Sequence, residues 1–387
     1  MSHEFIFVPV GWGYMSIHAF DGEIVAVTDG GSMPNCFRAS EQALRQVINE
    51  MPINRCWTWF LSHFDYDHYS LILDLIMQRR WPAPRYVVLP ASYSYNVCRE
   101  AVAMHFALAY LIADMLKLNL PRAEELYERL NDFIKGGTVI YGVAAGDKVV
   151  IGGAVYYVIW PEDRYVEENC GELIKVIREK IDKICKGDER CKENAEDIMR
   201  RVKSTLGELG VKRVESRILE IHLDKCMNNE RRGVSITINE ADAPSGQFLS
   251  VYETYEVGAD RLGDRELLVI HKSVVNMHSL AYVVEGRAWR HIHTDLLSIE
   301  TPDLHCHHDY LSNGCVLMYL GDLDGNELNK ALRNARDADV YYVNVFVAPH
   351  HGNAMVPNID NVPRSRFTYI PRCDEHVNSS WKRNLNM

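Results

Sequence analysis

The sequence predicts a mixed α/β fold in which two sheets are covered by helices, and three observations carry that expectation. Apolar runs of strand length recur from the first residues to about residue 348, so both halves of the chain supply sheet. The earliest runs pair as a hairpin, because Asp21-Gly22 joins two alternating segments. Charge-rich segments of helical period interrupt the strands instead of alternating with them one for one. Such an order suits two helix-covered sheets better than a regular parallel βαβ array.

Residues 5–10 and 14–20 alternate as strands, and Asp21-Gly22 leads into a third at 24–28 that ends in Asp29-Gly30-Gly31. Residues 39–50 read as an amphipathic helix, with Ser40 as its N-cap before Glu41. The apolar run 56–61 reads as a buried strand. Ser62-His63-Phe64-Asp65-Tyr66-Asp67-His68 follows it, then a helix near 69–79 and a strand at 86–89. From about 93 to 135 the period is helical, and strands resume at 138–141, 148–151 and 155–160, the last stopped by Pro161. Residues 167–215 read as an inserted helical hairpin, broken at Lys186-Gly187-Asp188 and standing out as a solvated cap. Strand-like runs return at 216–223, 233–238, 267–271, 279–284 and 315–320. A helix at 326–336 and a strand at 341–348 precede Pro349-His350-His351-Gly352. No repeat or low-complexity linker divides the chain, so 1–387 reads as one domain with helical insertions at about 93–135 and 167–215.

With 387 residues, 47% hydrophobic and 25% charged, the composition is that of an ordinary soluble protein. No apolar run reaches the roughly 18–20 residues that span a bilayer, and the start lacks the features of a secretory signal. The expectation is a cytoplasmic protein without membrane contact. A net charge of −11 argues against a general nucleic-acid coat, although a nuclease with a local basic groove remains compatible with it. Ten cysteines form no Cys-x-x-Cys pair, which excludes a zinc ribbon or thioredoxin-like motif. Most read as small buried hydrophobes, while the spacing of Cys185 and Cys191 allows a local disulfide.

His63, Asp65, Asp67 and His68 put four metal-ligand side chains within six positions, directly after a buried strand. Imidazole together with carboxylate suits zinc, manganese or iron. Asp29, Asp322 and the pair His350-His351 each follow an apolar strand in the same way. Four strands that deliver Asp or His at their C-terminal ends imply a shared rim for a metal site. Taken alone, Asp29 or Asp322 reads equally as a turn-forming Asp beside glycine. The contiguous cluster His305-Cys306-His307-His308-Asp309 reads as a polar loop, with a third metal site or a flap as the alternative.

In this order the motifs resemble the metallo-β-lactamase superfamily, and most closely the soluble hydrolase domain of ComEC-type competence proteins and their free-standing relatives. That branch has Ser-His-x-Asp-x-Asp-His, matched at 62–68, Pro-His-His-Gly, matched at 349–352, and a Gly-Asp after an apolar strand, matched by Gly321-Asp322. Weaker matches are Ile159-Trp160-Pro161, Asn276-Met277-His278-Ser279-Leu280 and Val10-Gly11-Trp12-Gly13-Tyr14, where Trp12 and Tyr14 replace polar residues. The resemblance implies a four-layer αββα sandwich with a dinuclear site on one edge. His63 and Asp65 would bind one metal, Asp67 and His68 the other, and Asp322 would bridge them. His351 would complete the second site, with His350 as the other candidate, and Asp29 would support the ligands from behind. A further His usually precedes the Gly-Asp strand; Asn276, His278 and Ser279 occupy that region here, which leaves the first site more open. Asp65, a hard anionic ligand in place of His, shifts the expected ions from zinc towards manganese, magnesium or iron.

Two such ions roughly 3.5–4 Å apart lower the pKa of water towards about 7 and neutralise charge on a phosphoester in displacement. Asp67 as ligand and His350 or His278 as proton donor are the catalytic candidates, with His376 a third donor. The leading expectation is a phosphodiesterase or nuclease acting on a short or single strand or on a nucleotide. Arg364, Arg366, Arg372, Lys382 and Arg383 make the C-terminal region basic, and Tyr369 and Trp381 could stack bases. The alternatives are a hydrolase of lactones, thioesters or small phosphoesters on the same site, and a non-catalytic metal-binding regulatory protein.

Overall fold

The structure, a computed structural model, describes residues 3–8, 10, 13–32, 37–118, 120, 123–224, 251–285, 289–293, 315–350, 354 and 361–369. Strands β1 (His3–Phe7), β2 (Met15–Phe20) and β3 (Glu23–Asp29) form an antiparallel meander. Asp21 and Gly22, with φ of 48° and 83°, supply the left-handed backbone of the β2–β3 turn. Helix α1 (Phe37–Glu50) begins ahead of the expected start, so Ser40 is no N-cap. Its hydroxyl is buried 2.9 Å from the Ser32 Oγ.

The chain continues through β4 (Ile53–Phe60), α2 (Tyr66–Met77), β5 (Tyr86–Pro90), α3 (Asn96–Leu116), α4 (Ala123–Lys135) and β6 (Val139–Val143). Next come β7 (Lys148–Ile151), β8 (Ala154–Trp160), α5 (Asp163–Cys185), α6 (Glu189–Glu208), β9 (Lys212–Arg213) and β10 (Ile218–Ile221). Then follow α7 (Val251–Leu262), α8 (Glu266–His278), β11 (Ala281–Glu285), β12 (Trp289–His293), β13 (Cys315–Tyr319), α9 (Gly325–Asp337), β14 (Tyr342–Val347) and β15 (Arg364–Tyr369).

These strands make two mixed sheets, ordered β12-β1-β2-β3-β4-β5-β6-β9 and β10-β7-β8-β11-β13-β14-β15. Phe5, Phe7, Val25, Phe60 and Val88 of the first pack with Val149, Tyr156, Tyr282, Tyr319 and Val345 of the second. The opposite faces are buried too: Trp57 and Trp59 join one core with Leu71 and Leu75 of α2, as do Val283 and Met318 with Leu328 and Leu332 of α9. Burial on both faces explains why Cys56–Phe60 of β4 is apolar apart from Thr58 instead of alternating. The result is the expected α/β sandwich, two sheets flanked by helices.

Two expectations need correction. Residues 267–271 are helical, within α8, not a strand. Leu267, Ile270, His271, Val274 and Val275 are buried while Val269 is 64% exposed, which is a helical period hidden in a short apolar run. The hairpin of α5 and α6 is no solvated cap, because Val166, Cys170, Leu173, Ile177, Val202 and Leu206 pack into the main core. Its two helices are joined by the disulfide Cys185–Cys191, and Asp188 caps α6 by accepting from the backbone of Arg190 and Cys191. Cys98 and Cys170 are buried free thiols. The strand-like run 233–238 lies outside the described residues. Among the described residues no helix is long and apolar enough to cross a membrane.

Candidate metal centre

Parallel pairing sets the rim. β3 lies beside β4, and β13 beside β14, so Asp29, the turn after β4, the turn after β13 and His350 gather where these strands end. Asp29 closes β3 in a left-handed conformation with φ 55°. Its carboxylate is fully buried and heavily bonded. Oδ1 accepts the Ser62 backbone N–H at 2.7 Å, and Oδ2 accepts the Ser62 hydroxyl at 2.9 Å. Oδ2 also stands 2.8 Å from the His68 Nδ1 and accepts the Tyr319 hydroxyl. Tyr319 belongs to the other sheet, so Asp29 ties the sheets together at the rim. With Nδ1 of His68 held by a carboxylate, its Nε2 is turned towards the site.

His63, His68 and Asp322 present ligand atoms that all lie within 4.8 Å of one another, and all three residues are buried. The Asp322 carboxylate splits between the histidines, with Oδ2 3.8 Å from His63 Nε2 and Oδ1 3.4 Å from His68 Nε2. Asp65 Oδ2 is 3.6 Å from His63 Nε2, and Asp67 Oδ2 is 3.9 Å from His68 Nε2. Helix α2 starts at Tyr66, so Asp67 and His68 occupy its first turn and Asp65 its N-cap position. The Asp65 side chain makes no capping bond. Close packing holds this turn in place, because a Cβ on Gly31 would fall 2.1–2.3 Å from backbone atoms of Asp67 and His68. One on Gly13 would lie 2.6 Å from the Asp67 carbonyl.

His271 is the residue that sequence reasoning missed. Its Nε2 lies 3.5 Å from Asp65 Oδ2, and its Nδ1 lies 3.2 Å from the Nε2 of His105 on α3. Tyr255 stacks on His105, with ring centroids 4.8 Å apart, and donates its hydroxyl to the His105 carbonyl. Burial lowers the His271 pKa, with Asp65 opposing. Burial and then His271 lower that of His105 well below the ordinary value. The periodicity of Leu267, Ile270, His271 and Val274 was the signal available for α8, and it places His271 on the buried face.

Burial opposes ionisation of Asp65, but His271 and His63 outweigh it and hold the carboxyl well below the usual range. Burial likewise opposes protonation of His68. The carboxylates of Asp322, Asp29 and Asp67 overcome it and raise the His68 pKa well above its ordinary value.

The other sequence-derived residues take different places. Asn276 buttresses the turn after Asp322, its Oδ1 accepting the Asp324 backbone N–H at 3.1 Å. Ser279 is buried and donates to the Val275 carbonyl. It also crowds Gly321, whose φ of 54° and 3.0 Å Cβ clearance to the Leu280 carbonyl demand glycine. His278 has both ring nitrogens engaged, Nδ1 at 2.8 Å from Ser92 Oγ and Nε2 at 3.9 Å from Cys170 Sγ. It lines a cavity of about 20 Å³ with His63, Asp65, His105 and the aromatic walls Phe64, Tyr93 and Phe106, enough for a single water. His350 donates its backbone N–H to the Gly321 carbonyl at 3.1 Å, beside Asp322. Arg364 opens β15 opposite Tyr342, the start of β14, and so stands at the far end from the rim. His351, the 305–309 cluster, Arg372, His376, Trp381, Lys382 and Arg383 lie outside the described residues, as do the side chains of Arg366 and Tyr369.

The donor set fits a divalent cation. His63 Nε2 is buried without a hydrogen-bond partner, facing carboxylate oxygens at 3.6 and 3.8 Å. Ligands about 2.1 Å from a tetrahedral ion stand about 3.4 Å apart, close to the spacing of these atoms. A buried His/His/Asp group able to hold a metal ion is thus present at the meeting of the two sheets. No protein-family model, curated protein or solved structure matches this chain.

Proposed function

We propose that this chain is a metal-dependent hydrolase of phosphodiesters, with two divalent ions held between the sheets, and that it is a metallo-β-lactamase-type enzyme near the ComEC-type branch. The observation that carries the reading is the Asp322 carboxylate, whose two oxygens face two different imidazoles as a bridging ligand would. One ion would take His63, Asp65, His271 and Asp322. The other would take Asp67, His68 and Asp322, with His350 or His351 beside it. His271 supports the placement of one ion beside Asp65. If its Nδ1–H donates to His105, its Nε2 lone pair points at the Asp65 carboxylate, an arrangement that needs a cation between them.

When bound, such ions lower the pKa of water and neutralise charge on the attacking and leaving oxygens. The chain's own residues supply the rest. Asp29 fixes the His68 tautomer, His105 braces the His271 ring, and Asn276 sets the turn that carries Asp322. With both nitrogens of His278 engaged, His350 is the described histidine assigned to protonate the leaving group. A net charge of −11 favours a short strand or nucleotide over duplex.

The test is hydrolysis of bis(p-nitrophenyl) phosphate and a labelled single-stranded oligonucleotide by protein loaded with manganese or zinc. A lactone and a thioester run alongside. Turnover of the phosphodiesters that is lost in Asp322→Asn supports the reading. Turnover of the lactone or thioester alone, or no turnover with any metal, overturns it.

A further inference from the structure

Helix α9 carries Asn326, Asn329, Lys330 and Arg333 on one stripe, at the i, i+3, i+4, i+7 spacing of a single helical face. Tyr165, in the first turn of α5, and Asn361, just ahead of β15, stand across from it. Together these six residues enclose an open cleft of about 480 Å³. Among the described residues its lining contains two cations and three amides but no carboxylate, in a chain with 53 Asp and Glu against 42 Lys and Arg. Two nearby carboxylates are each held by a hydrogen bond, Glu327 by the lining Tyr165 itself. Glu327 accepts the Tyr165 hydroxyl and Glu162 accepts the Asn334 amide, each at 2.8 Å. The Lys330 ammonium rests 3.2 Å from the centre of the Tyr165 ring, which fixes its position. Arg333 is exposed and makes no ion pair among the described residues.

The Asn326 end of the cleft is the one nearer the metal rim, and Asn361, just ahead of β15, lies towards the opposite end. β8 ends with Trp160 opposite Ala281, at the same edge where Tyr282 faces Tyr319, so α5 departs from the rim. Asp324 caps α9 two residues after Asp322. Asn326 is therefore within about 14 Å of Asp322 along the chain, and Lys330 is about 6 Å further along the helix.

We infer that this cleft is an anion subsite that holds a phosphate group of the substrate other than the one cleaved, with Lys330 and Arg333 as its charged contacts. The inference rests on the phosphodiesterase reading and names the class of substrate, a chain or nucleotide with at least two phosphates. Arg333 offers a planar fork to phosphate oxygens and Lys330 a point charge, while Asn326, Asn329 and Asn361 offer neutral donors. A neutral lactone or a single small ester would make no use of such a stripe.

The experiment compares wild type with the Lys330→Gln/Arg333→Gln variant, and with a charge-matched control, Lys175→Gln/Lys183→Gln, on the outer part of α5. With a 5′-phosphorylated thymidine tetranucleotide, the α9 variant should raise KM at least tenfold and leave kcat within twofold. With bis(p-nitrophenyl) phosphate, which is too small to reach the cleft, both parameters should hold. Oligonucleotide binding by the metal-loaded protein, read by fluorescence anisotropy, should show a salt slope shallower by about 1.4 in the variant, two contacts' worth for a single strand. An unchanged KM and salt slope, or an equal loss in the control, overturns the subsite. If wild type hydrolyses neither substrate, the phosphodiesterase reading fails by itself. Anisotropy then decides the cleft alone: binding that the α9 variant loses supports it, and absent or unaltered binding overturns it.

Discussion

Asp65 occupies the N-cap of α2 and caps nothing. A capping Asp is ordinarily worth about 1 kcal/mol to a helix, so its diversion towards His63 and His271 is a local cost set against the site. His271→Ala should lower affinity for manganese or zinc about 100-fold in chelator competition, with unchanged far-UV circular dichroism. Asp29→Asn, which removes the acceptor behind His68, should cost about 10–100-fold. Acid should weaken binding as well. The His68 pKa is raised, so below it the ring carries a proton that an incoming ion must displace. Apparent affinity should fall about tenfold per pH unit for each displaced proton, and metal addition should release acid into weak buffer. Affinity independent of pH between 5 and 8 would contradict this. His63, Asp65, Asp67 and His68 were legible because they are contiguous. His271 was not, because its apolar neighbours over five residues look alike as strand and as helix.

At the scale of elements, the first turn of α2 is held by close backbone contact as well as by the buried His68 side chain. Gly31 leaves no room for a methyl group against Asp67 and His68. Gly31→Ala should therefore cost about 1–3 kcal/mol in urea unfolding and also weaken metal binding, since it pushes on two ligand residues at once. Normal metal affinity in a destabilised Gly31→Ala protein would separate the two effects and count against this account. The Val-Gly-Trp-Gly-Tyr segment pointed to Gly13 through a resemblance, but a sequence cannot reveal which backbone a glycine touches. Strands β4, β13 and β14 were easy to read because burial on both faces keeps their central residues mostly apolar. The α5–α6 hairpin misled because its charged outer residues outnumber the buried stripe that fastens it to the core.

For the whole molecule, the ligands come from both sheets, so an ion would bridge them. Loading should raise thermal stability. An ion at 100 times its Kd contributes about 2.7 kcal/mol. With roughly 2.1 cal/mol/K of unfolding entropy per residue, that is a shift of about 3 °C for a chain this long, reversed by chelator. No shift with manganese, zinc, magnesium or iron would show that the native state binds none of them. The sandwich followed from the order of strands and helices alone. The pairing of β12 with β1 did not, because it joins residues near 290 to the first strand and leaves no local trace.

The bond from Tyr319 to Asp29 spans 290 positions of sequence, and closing a loop of that size costs about 5 kcal/mol in chain entropy. On a ribosome adding about 5–20 residues per second, roughly 10–50 s separate the emergence of His63 from that of Asp322. Throughout that interval the early histidines and carboxylates lack Asp322 and would hold an ion only loosely. Any ion the site takes would therefore be chosen by the finished chain, in whatever surroundings it folds, and not by the nascent polypeptide.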